Sequence, residues 1–159
     1  SKSLDPFYQG EQIIVGCGIK TPNKNWFLTN TDMSTVKDDI KEYLAQEGLR
    51  PQEDEYGIYF RYQMLTFLIH WEQEDEFFLS ISLPAIFTTD ENNRADALEA
   101  INAINVERKV VKCVLGKNDV WINSEQLLDS TPKYEDIIPR TLNMLLQARA
   151  GFYEQLRKL

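Results

Sequence analysis

The chain has 159 residues, enough for one domain with a sizeable core, and its 43% hydrophobic and 26% charged residues are typical of a soluble globular protein. Its 25 acidic residues outnumber its 17 basic residues, which leaves a net charge of -8. Because phosphate groups repel so acidic a chain, nucleic acid and anionic membrane surfaces are poor candidates for partners.

The cysteine and histidine content argues against a metal centre. Cys17 and Cys113 lie far apart, neither belongs to a C-x-x-C pair, and His70 is the single histidine, so a Cys/His zinc site is not expected. No apolar run reaches the roughly 18 residues that span a bilayer, and no signal-peptide pattern is visible. We therefore predict a cytoplasmic protein without a cofactor, with two reduced cysteines or, as the alternative, one disulfide.

Residues 1–33 are predicted to form an N-terminal extension or hairpin ahead of a single domain over 34–159. "QIIVGCGIKT" alternates apolar and other residues as a strand does. Within it, "GCGIKT" approaches a phosphate-binding loop, but Ile19 stands where that loop needs glycine before Lys-Thr. Two glycines in a twisted strand are the better interpretation.

A helix and three strands follow in the first half of the domain. Apolar residues at helical spacing predict a helix from Ser34 to Glu47, opened by Thr35 and Asp38 and ended by Gly48. Three alternating segments, "YGIYFRY", "LTFLIHW" and "FFLSISL", predict an antiparallel meander with one fully apolar face.

A helix, two strands and a last helix are predicted in the second half of the domain. A helix is predicted over Asn93–Asn105, followed by strands near Lys109–Leu115 and Val120–Asn123 that the turn "GKND" joins. A last helix runs to the C-terminus, where Pro139 predicts either a kink or a start near Ile138. The order helix, three strands, helix, two strands, helix is that of an α+β domain.

The segments "ALEAINAIN" and "GKNDVWINSEQLLD", together with the apolar stripe of the last helix, resemble the YbjN family. That family is described as bacterial sensory transduction regulators and has the type III secretion chaperone-like fold. The resemblance covers roughly Ser34–Leu159. It implies a five-stranded antiparallel sheet with three helices in the order α-β-β-β-α-β-β-α, a homodimer, and no catalytic motif.

The candidate binding residues lie on the side of the strands opposite the uniformly apolar one. Aromatic and apolar residues stand there among polar neighbours, a composition usual in interfaces: Tyr59, Leu68, His70, Phe78 and Trp121. We predict contacts with a protein or peptide partner, or with a second copy of the chain. The alternative is that a helix or the N-terminal segment of the same chain covers these residues.

Two catalytic alternatives remain open. His70 could act as a general base in a small hydrolase, and the acidic runs Glu53–Glu55 and Glu74–Glu76 could hold a metal ion, although acids at strand ends usually only solvate turns. A sensor with an aromatic-lined cavity for a small ligand is a third interpretation. With so few groups to build a reaction centre, we predict a non-enzymatic, chaperone-like or regulatory binding module. A peptide partner would add to a sheet edge or lie across a groove.

Overall fold

The computed structural model describes residues 30–70 and 77–159. The predicted N-terminal hairpin, Cys17, the "GCGIKT" segment and the acidic run Glu74–Glu76 therefore lie outside the described residues, apart from residues 30–33. The described parts form an α+β fold of these elements: α1 (Asn30–Gln46), β1 (Gln52–Glu53), β2 (Gly57–Tyr62), β3 (Leu65–His70), β4 (Phe78–Thr88), α2 (Arg94–Glu107), β5 (Val111–Leu115), β6 (Asp119–Leu127) and α3 (Tyr134–Leu156).

The strands form one antiparallel sheet in the order β1-β2-β3-β4-β6-β5. The predicted count of five strands is wrong, because the described sheet has six. The extra strand, β1, has two residues, Gln52 and Glu53, which pair with Tyr59 and Ile58. Two exposed polar residues carry no periodicity, so the sequence pattern could not reveal this strand. The predicted order of the other elements is confirmed.

One face of the sheet packs against the three described helices and is called here the helical face. Its strand residues and the apolar sides of α1, α2 and α3 form one hydrophobic cluster, with Ile40, Leu44, Ile104, Leu145 and Phe152 fully buried on the helix side. The alternation predicted for β2, β3 and β4 is confirmed, because their inward residues are buried: Ile58, Phe60, Phe67, Ile69, Leu79, Ile81 and Leu83.

The predicted C-terminal end of α1 is confirmed, and its predicted N-terminal end is wrong. Gly48 has φ +76, Gly48 N–H donates to Ala45, and Leu49 N–H donates to Leu44, the hydrogen bonds of a Schellman stop. The predicted start at Ser34, with its Thr35/Asp38 signal, is wrong, because the helix begins at Asn30. A Thr-x-x-Asp pattern is also compatible with an interior turn, so it does not mark a start by itself.

The last helix begins at Tyr134 and contains Pro139 in its second turn, so the predicted alternative start near Ile138 is wrong. Proline removes one backbone donor there, a loss that the first turns of a helix tolerate better than its middle. Farther along α3, the Tyr153 hydroxyl donates to the Ile86 carbonyl and fastens the helix to β4. This contact keeps the helix layer on the helical face.

Strands β4 and β6 extend farther than the alternation predicted. β4 continues past Leu83 to Thr88, and β6 continues past Asn123 to Leu127. Leu83 pairs with Ile122 and Phe87 pairs with Val120, so three residues of β4 stand opposite Trp121 alone. This β-bulge contains Pro84, which ended the predicted strand but is tolerated in a sheet at such an irregularity.

Among residues 30–70 and 77–159, no helix is both long enough and apolar enough to cross a membrane.

Candidate binding surface

The face of the sheet opposite the helical face is called here the second face. Its side chains come from the alternate residues of β2, β3, β4 and β6, including Tyr59, Leu68, Ser82 and Trp121. Leu68 and Trp121 are 3% and 4% exposed, yet neither belongs to the hydrophobic cluster that contains the three helices. The described helices α1, α2 and α3 therefore do not account for their burial. The other predicted alternative, that the N-terminal segment covers these residues, concerns residues outside the described part of the chain.

A small apolar pocket lies on the second face. Its volume is about 230 Å³, and the residues that line it are Tyr56, Tyr59, Thr66, Leu68, Pro84, Ala85 and Trp121. The pocket depends on the bulge of β4, because Pro84 and Ala85 are two of the three residues that face Trp121 there. Ala85 has φ +48, a left-handed conformation that non-glycine residues seldom adopt.

The pocket brings together three of the five predicted site residues: Tyr59, Leu68 and Trp121. Phe78 lies elsewhere, because it pairs with Leu127, six residues along β6 from Trp121 and thus about 20 Å away. His70 lies between Gly57 and Ser80 in the sheet and does not line the pocket. The predicted contacts of all five residues with a partner remain predictions.

His70 takes part in a polar row beside the pocket. Its Nε2 atom is 2.9 Å from the Ser82 hydroxyl oxygen, a serine–histidine distance that acid–base catalysis could use. However, Ser82 is fully buried, so its hydroxyl cannot reach a substrate in this conformation. Next to Ser82 in the register lies Asn123, whose buried Oδ1 atom has no hydrogen-bond donor among residues 30–70 and 77–159.

A second, more polar cleft of about 410 Å³ adjoins the pocket and shares Tyr59 and Thr66 with it. Two arginines line this cleft: Arg61, which lies on the same side of β2 as Tyr59, and Arg50, which follows the end of α1. The Arg61 guanidinium donates to the Met64 carbonyl at 3.3 Å. Apolar and cationic surfaces thus meet at the two shared side chains.

The described acidic residues near this cleft have structural roles. The Glu53 carboxylate forms ion pairs with Lys37 and Lys41 and ties β1 to α1. The Asp54 carboxylate accepts hydrogen bonds from the backbone N–H groups of Tyr56 and Gly57, which shapes the turn before β2. In the described part of the chain, no three His, Cys, Asp or Glu residues are grouped closely enough to hold a metal ion.

Cys113 lies on the helical face, where it is a buried, free thiol. Burial raises the pKa of its thiol to about 12, so the reactive thiolate is essentially absent near neutral pH.

Comparisons with known proteins bear on the fold. No protein-family model matches the chain, and no curated protein matches it in sequence. Two solved structures are similar in shape. An uncharacterized protein from Methanothermobacter thermautotrophicus superposes with a TM-score of 0.58 at 14% identity, covering 77% of this chain and 97% of its own. YbjN from E. coli, assigned provisionally as a transcription regulator, superposes with a TM-score of 0.53 at 13% identity. This match covers 74% of the present chain and 88% of the YbjN chain. The chain has a YbjN-like fold. At these identities the similarity establishes the fold alone.

The segment "ALEAINAIN" of α2 contains a residue that protects one edge of the described sheet. The Asn105 side chain donates to the Cys113 carbonyl at 2.9 Å and accepts from the Cys113 N–H at 2.8 Å. Because β5 is at the edge of the sheet that the described strands form, this amide takes the place that a neighbouring strand would occupy. At the other edge, β1 is only two residues long and its Glu53 is held by lysines.

Several residues of the pocket and cleft are not among the predicted site residues: Arg50, Tyr56, Thr66, Pro84 and Ala85. One signal was available, since proline in an otherwise strand-like run points to a bulge, and bulges often shape binding sites. No pattern marks Arg50, which lies outside the strands just after α1, whereas the alternation of Thr66, Leu68 and His70 along β3 could have placed Thr66 on the second face.

Proposed function

We propose that the protein is a non-enzymatic regulatory module that binds a protein or peptide partner at the apolar pocket of the second face. The observation that supports this proposal is the pocket itself, where Tyr59, Leu68 and Trp121 meet opposite the helix layer. Aromatic residues around a small apolar depression are the usual setting for a side chain that anchors a partner.

The size of the pocket favours an inserted side chain over a small-molecule ligand. Pockets for drug-sized ligands usually have volumes of roughly 300–1,000 Å³. The pocket here measures about 230 Å³, enough for one large side chain. This comparison supports a binding module more strongly than the alternative of a ligand sensor.

Protection of the sheet edges favours binding on the face. A peptide that adds a strand needs unpaired N–H and C=O groups along an edge. The Asn105 side chain occupies these groups at Cys113, and β1 offers only two residues at the opposite edge. Of the two peptide-binding modes that the sequence left open, the groove is therefore the better supported.

A catalytic function has less support than binding. The Ser82 hydroxyl beside His70 is fully buried, and the described acids Glu53 and Asp54 are engaged in ion pairs and backbone hydrogen bonds. YbjN is provisionally a regulator of transcription, but the net charge of -8 disfavours direct contact of this chain with DNA. We propose that regulation here acts through a protein partner.

The proposal includes self-association, which the family resemblance implies. Sedimentation equilibrium of the full chain would measure it directly, and a homodimer is the expected result. A monomer across the accessible concentration range would remove the homodimer from the proposal, and the partner would then have to be another protein.

The test of the function uses a variant that blocks the pocket from its exposed rim. Thr66→Trp places a large side chain over the pocket, and Thr88→Trp places the same side chain on an exposed threonine of β4 outside it. Tagged wild-type, Thr66→Trp and Thr88→Trp proteins would be incubated with source-organism lysate, with an unrelated protein of equal charge as the background. Quantitative mass spectrometry would then compare what each protein captures.

The expected result is a stoichiometric partner captured by the wild-type and Thr88→Trp proteins but lost by Thr66→Trp. Retention of that partner by Thr66→Trp would move the binding surface away from the pocket. Absence of any partner above background would contradict the binding function and would direct attention to ligand and metal screens.

A further inference from the structure

The second face of the sheet is more deeply buried than its described surroundings explain. Leu68 of β3 and Trp121 of β6 are 3% and 4% exposed, and Ser82, on the strand between them, is fully buried. The aromatic walls Tyr56, Tyr59 and Trp121 are all engaged in interactions. Because an uncovered sheet face leaves the upper surface of its side chains in contact with water, such complete burial requires a second layer on this face.

The described elements do not supply that layer. The helices α1, α2 and α3 pack on the helical face, and Tyr56 is the one described loop residue that lines the pocket. Residues 71–76 join β3 to β4 at the end of the sheet where Leu127 lies. Six residues that leave and return reach about 10 Å at most, whereas Trp121 lies about 20 Å along β6 from Leu127. The burial is that of a single chain, so residues 1–29 are left to supply the layer.

We propose that residues 1–29 pack across the second face over Leu68, Ser82 and Trp121 in the free protein, and that the partner binds there only after they have left. The burial of these three residues on a face without a described layer supports the proposal. The competition with a partner rests on the proposed function, whereas the covering of the face does not.

The chain enters the described domain close to one edge of the sheet. Lys37 and Lys41 of α1 pair with Glu53 of β1, so α1 lies beside the β1 edge. Asn30, the first residue of α1, is about 10 Å from Lys37 along the helix. The residues ahead of it span up to about 95 Å when extended, and the six strands are together only about 24 Å wide. Residues 1–29 can therefore pass around this edge and cross the whole second face.

The sequence of residues 1–29 suits a covering layer. The stretch "QIIVGCGIKT" alternates so that Ile13, Val15 and Ile19 share one side, and "WFL" adds large apolar residues directly ahead of α1. A segment with one apolar side buries that side most readily against the apolar part of a sheet face. A partner that inserts an apolar side chain beside Trp121 needs the same surface, so the segment and the partner exclude each other.

The covering layer is located by photo-cross-linking in protein of residues 1–159. A photoreactive phenylalanine analogue replaces Thr66 at the rim of the pocket, and in a control variant it replaces Asn102 on α2. Both positions are exposed, so both variants are expected to fold, which circular dichroism checks. Mixtures of protein with light and heavy isotopes distinguish links within one chain from links between two copies.

The expected result is a link within one chain from position 66 to a peptide of residues 1–29, and no such link from position 102. Links from position 66 to residues 30–159 alone would overturn the proposal. Links that join two copies and increase with protein concentration would overturn it as well, because the layer would then be a second copy of the chain.

The competition is tested by loosening the segment. Ile13→Ser/Val15→Ser alters the predicted apolar side of the strand-like stretch, and Gln12→Ser/Ile14→Ser alters its other side as the matched control. A face that is open a tenth of the time binds a partner about tenfold more weakly than an open face. The Ile13→Ser/Val15→Ser variant should therefore bind the partner that the wild type captures from lysate about tenfold more tightly, and the control should bind it as the wild type does.

The failures of the two proposals are distinguishable. Equal affinity of the wild type and the Ile13→Ser/Val15→Ser variant would contradict the competition, while the cross-links would still decide whether the segment covers the face. Capture of no partner by any of these proteins would contradict the proposed function and with it the competition. The cross-links from position 66 need no partner, so they test the covering layer in either case.

Discussion

The two faces of the sheet are built from adjacent residues but have different surroundings. On β3, Phe67 and Ile69 point into the hydrophobic cluster with α1, α2 and α3, while Thr66 and Leu68 line the apolar pocket on the second face. The helical face carries apolar residues at nearly every inward position, whereas the second face mixes Leu68 and Trp121 with Ser82, Asn123 and His70. Alternation along a strand thus separates residues for stability from candidate residues for recognition.

The largest expected effect comes from the helical face. Phe67 is fully buried and stacks on Phe60 with ring centroids 5.7 Å apart. Phe67→Ala should lower the free energy of unfolding by about 3–5 kcal/mol, measured by urea denaturation. The neighbouring Thr66→Trp should change it much less, since Thr66 is exposed. Equal decreases in the free energy of unfolding for the two variants would contradict the difference between the two faces.

Removal of the edge protection should have the next largest effect. Asn105→Ala leaves the Cys113 N–H and carbonyl without their side-chain partner and should destabilise the fold by about 1–3 kcal/mol. It should also promote association through β5, seen by light scattering. Asn102→Ala, on an exposed position of α2, is the matched control. If both variants behave as wild type, Asn105 does not guard the edge.

The stability of the protein at alkaline pH tests whether water is excluded from the site around Cys113. Burial raises the pKa of the Cys113 thiol from 9.0 to about 12, so above pH 9 the unfolded chain releases a proton that the folded chain retains. Stability should therefore fall as pH rises from 9 to 12, by about 1.4 kcal/mol at pH 10. The Cys113→Ala variant should show a shallower fall. Equal slopes for the two proteins would exclude a dry site around Cys113.

The smallest expected effect concerns the ion pairs that tie β1 to α1. Glu53→Gln removes the partner of Lys37 and Lys41, all of which are partly exposed, and should lower the free energy of unfolding by about 0.2–1 kcal/mol. The difference from wild type should shrink in 1 M salt, because salt screens exposed charges. A loss that is large and independent of salt would mean that β1 contributes to the fold in another way.

The sequence predicted the helical face well and the site only in part. Strict alternation in β2, β3 and β4 placed Ile58, Phe67 and Ile81 correctly, because burial against helices imposes a period of two. The pocket depends on a bulge that breaks this period opposite Trp121, and the cleft depends on Arg50, which reaches β2 only after α1 has packed. Such features arise from tertiary contacts, which local patterns do not encode.

The segment that carried the family resemblance shows the same limit. Asn105 is part of the pattern at the end of that helix. Its hydrogen bonds to Cys113 can form only when β5 lies beside α2. Likewise, the fold similarity to YbjN at 13% identity supports the architecture without specifying which face binds.

The most direct test of the account maps where a bound segment lies. Isotope-labelled protein of residues 1–159 would be titrated with the partner that the wild type captures from lysate, and two-dimensional NMR would follow the backbone amides and the Trp121 indole N–H. We expect the shifts to concentrate at Tyr59, Thr66, Leu68 and Trp121 and to vanish in Thr66→Trp. Shifts concentrated on α2, α3 or the edge of β5 would contradict it.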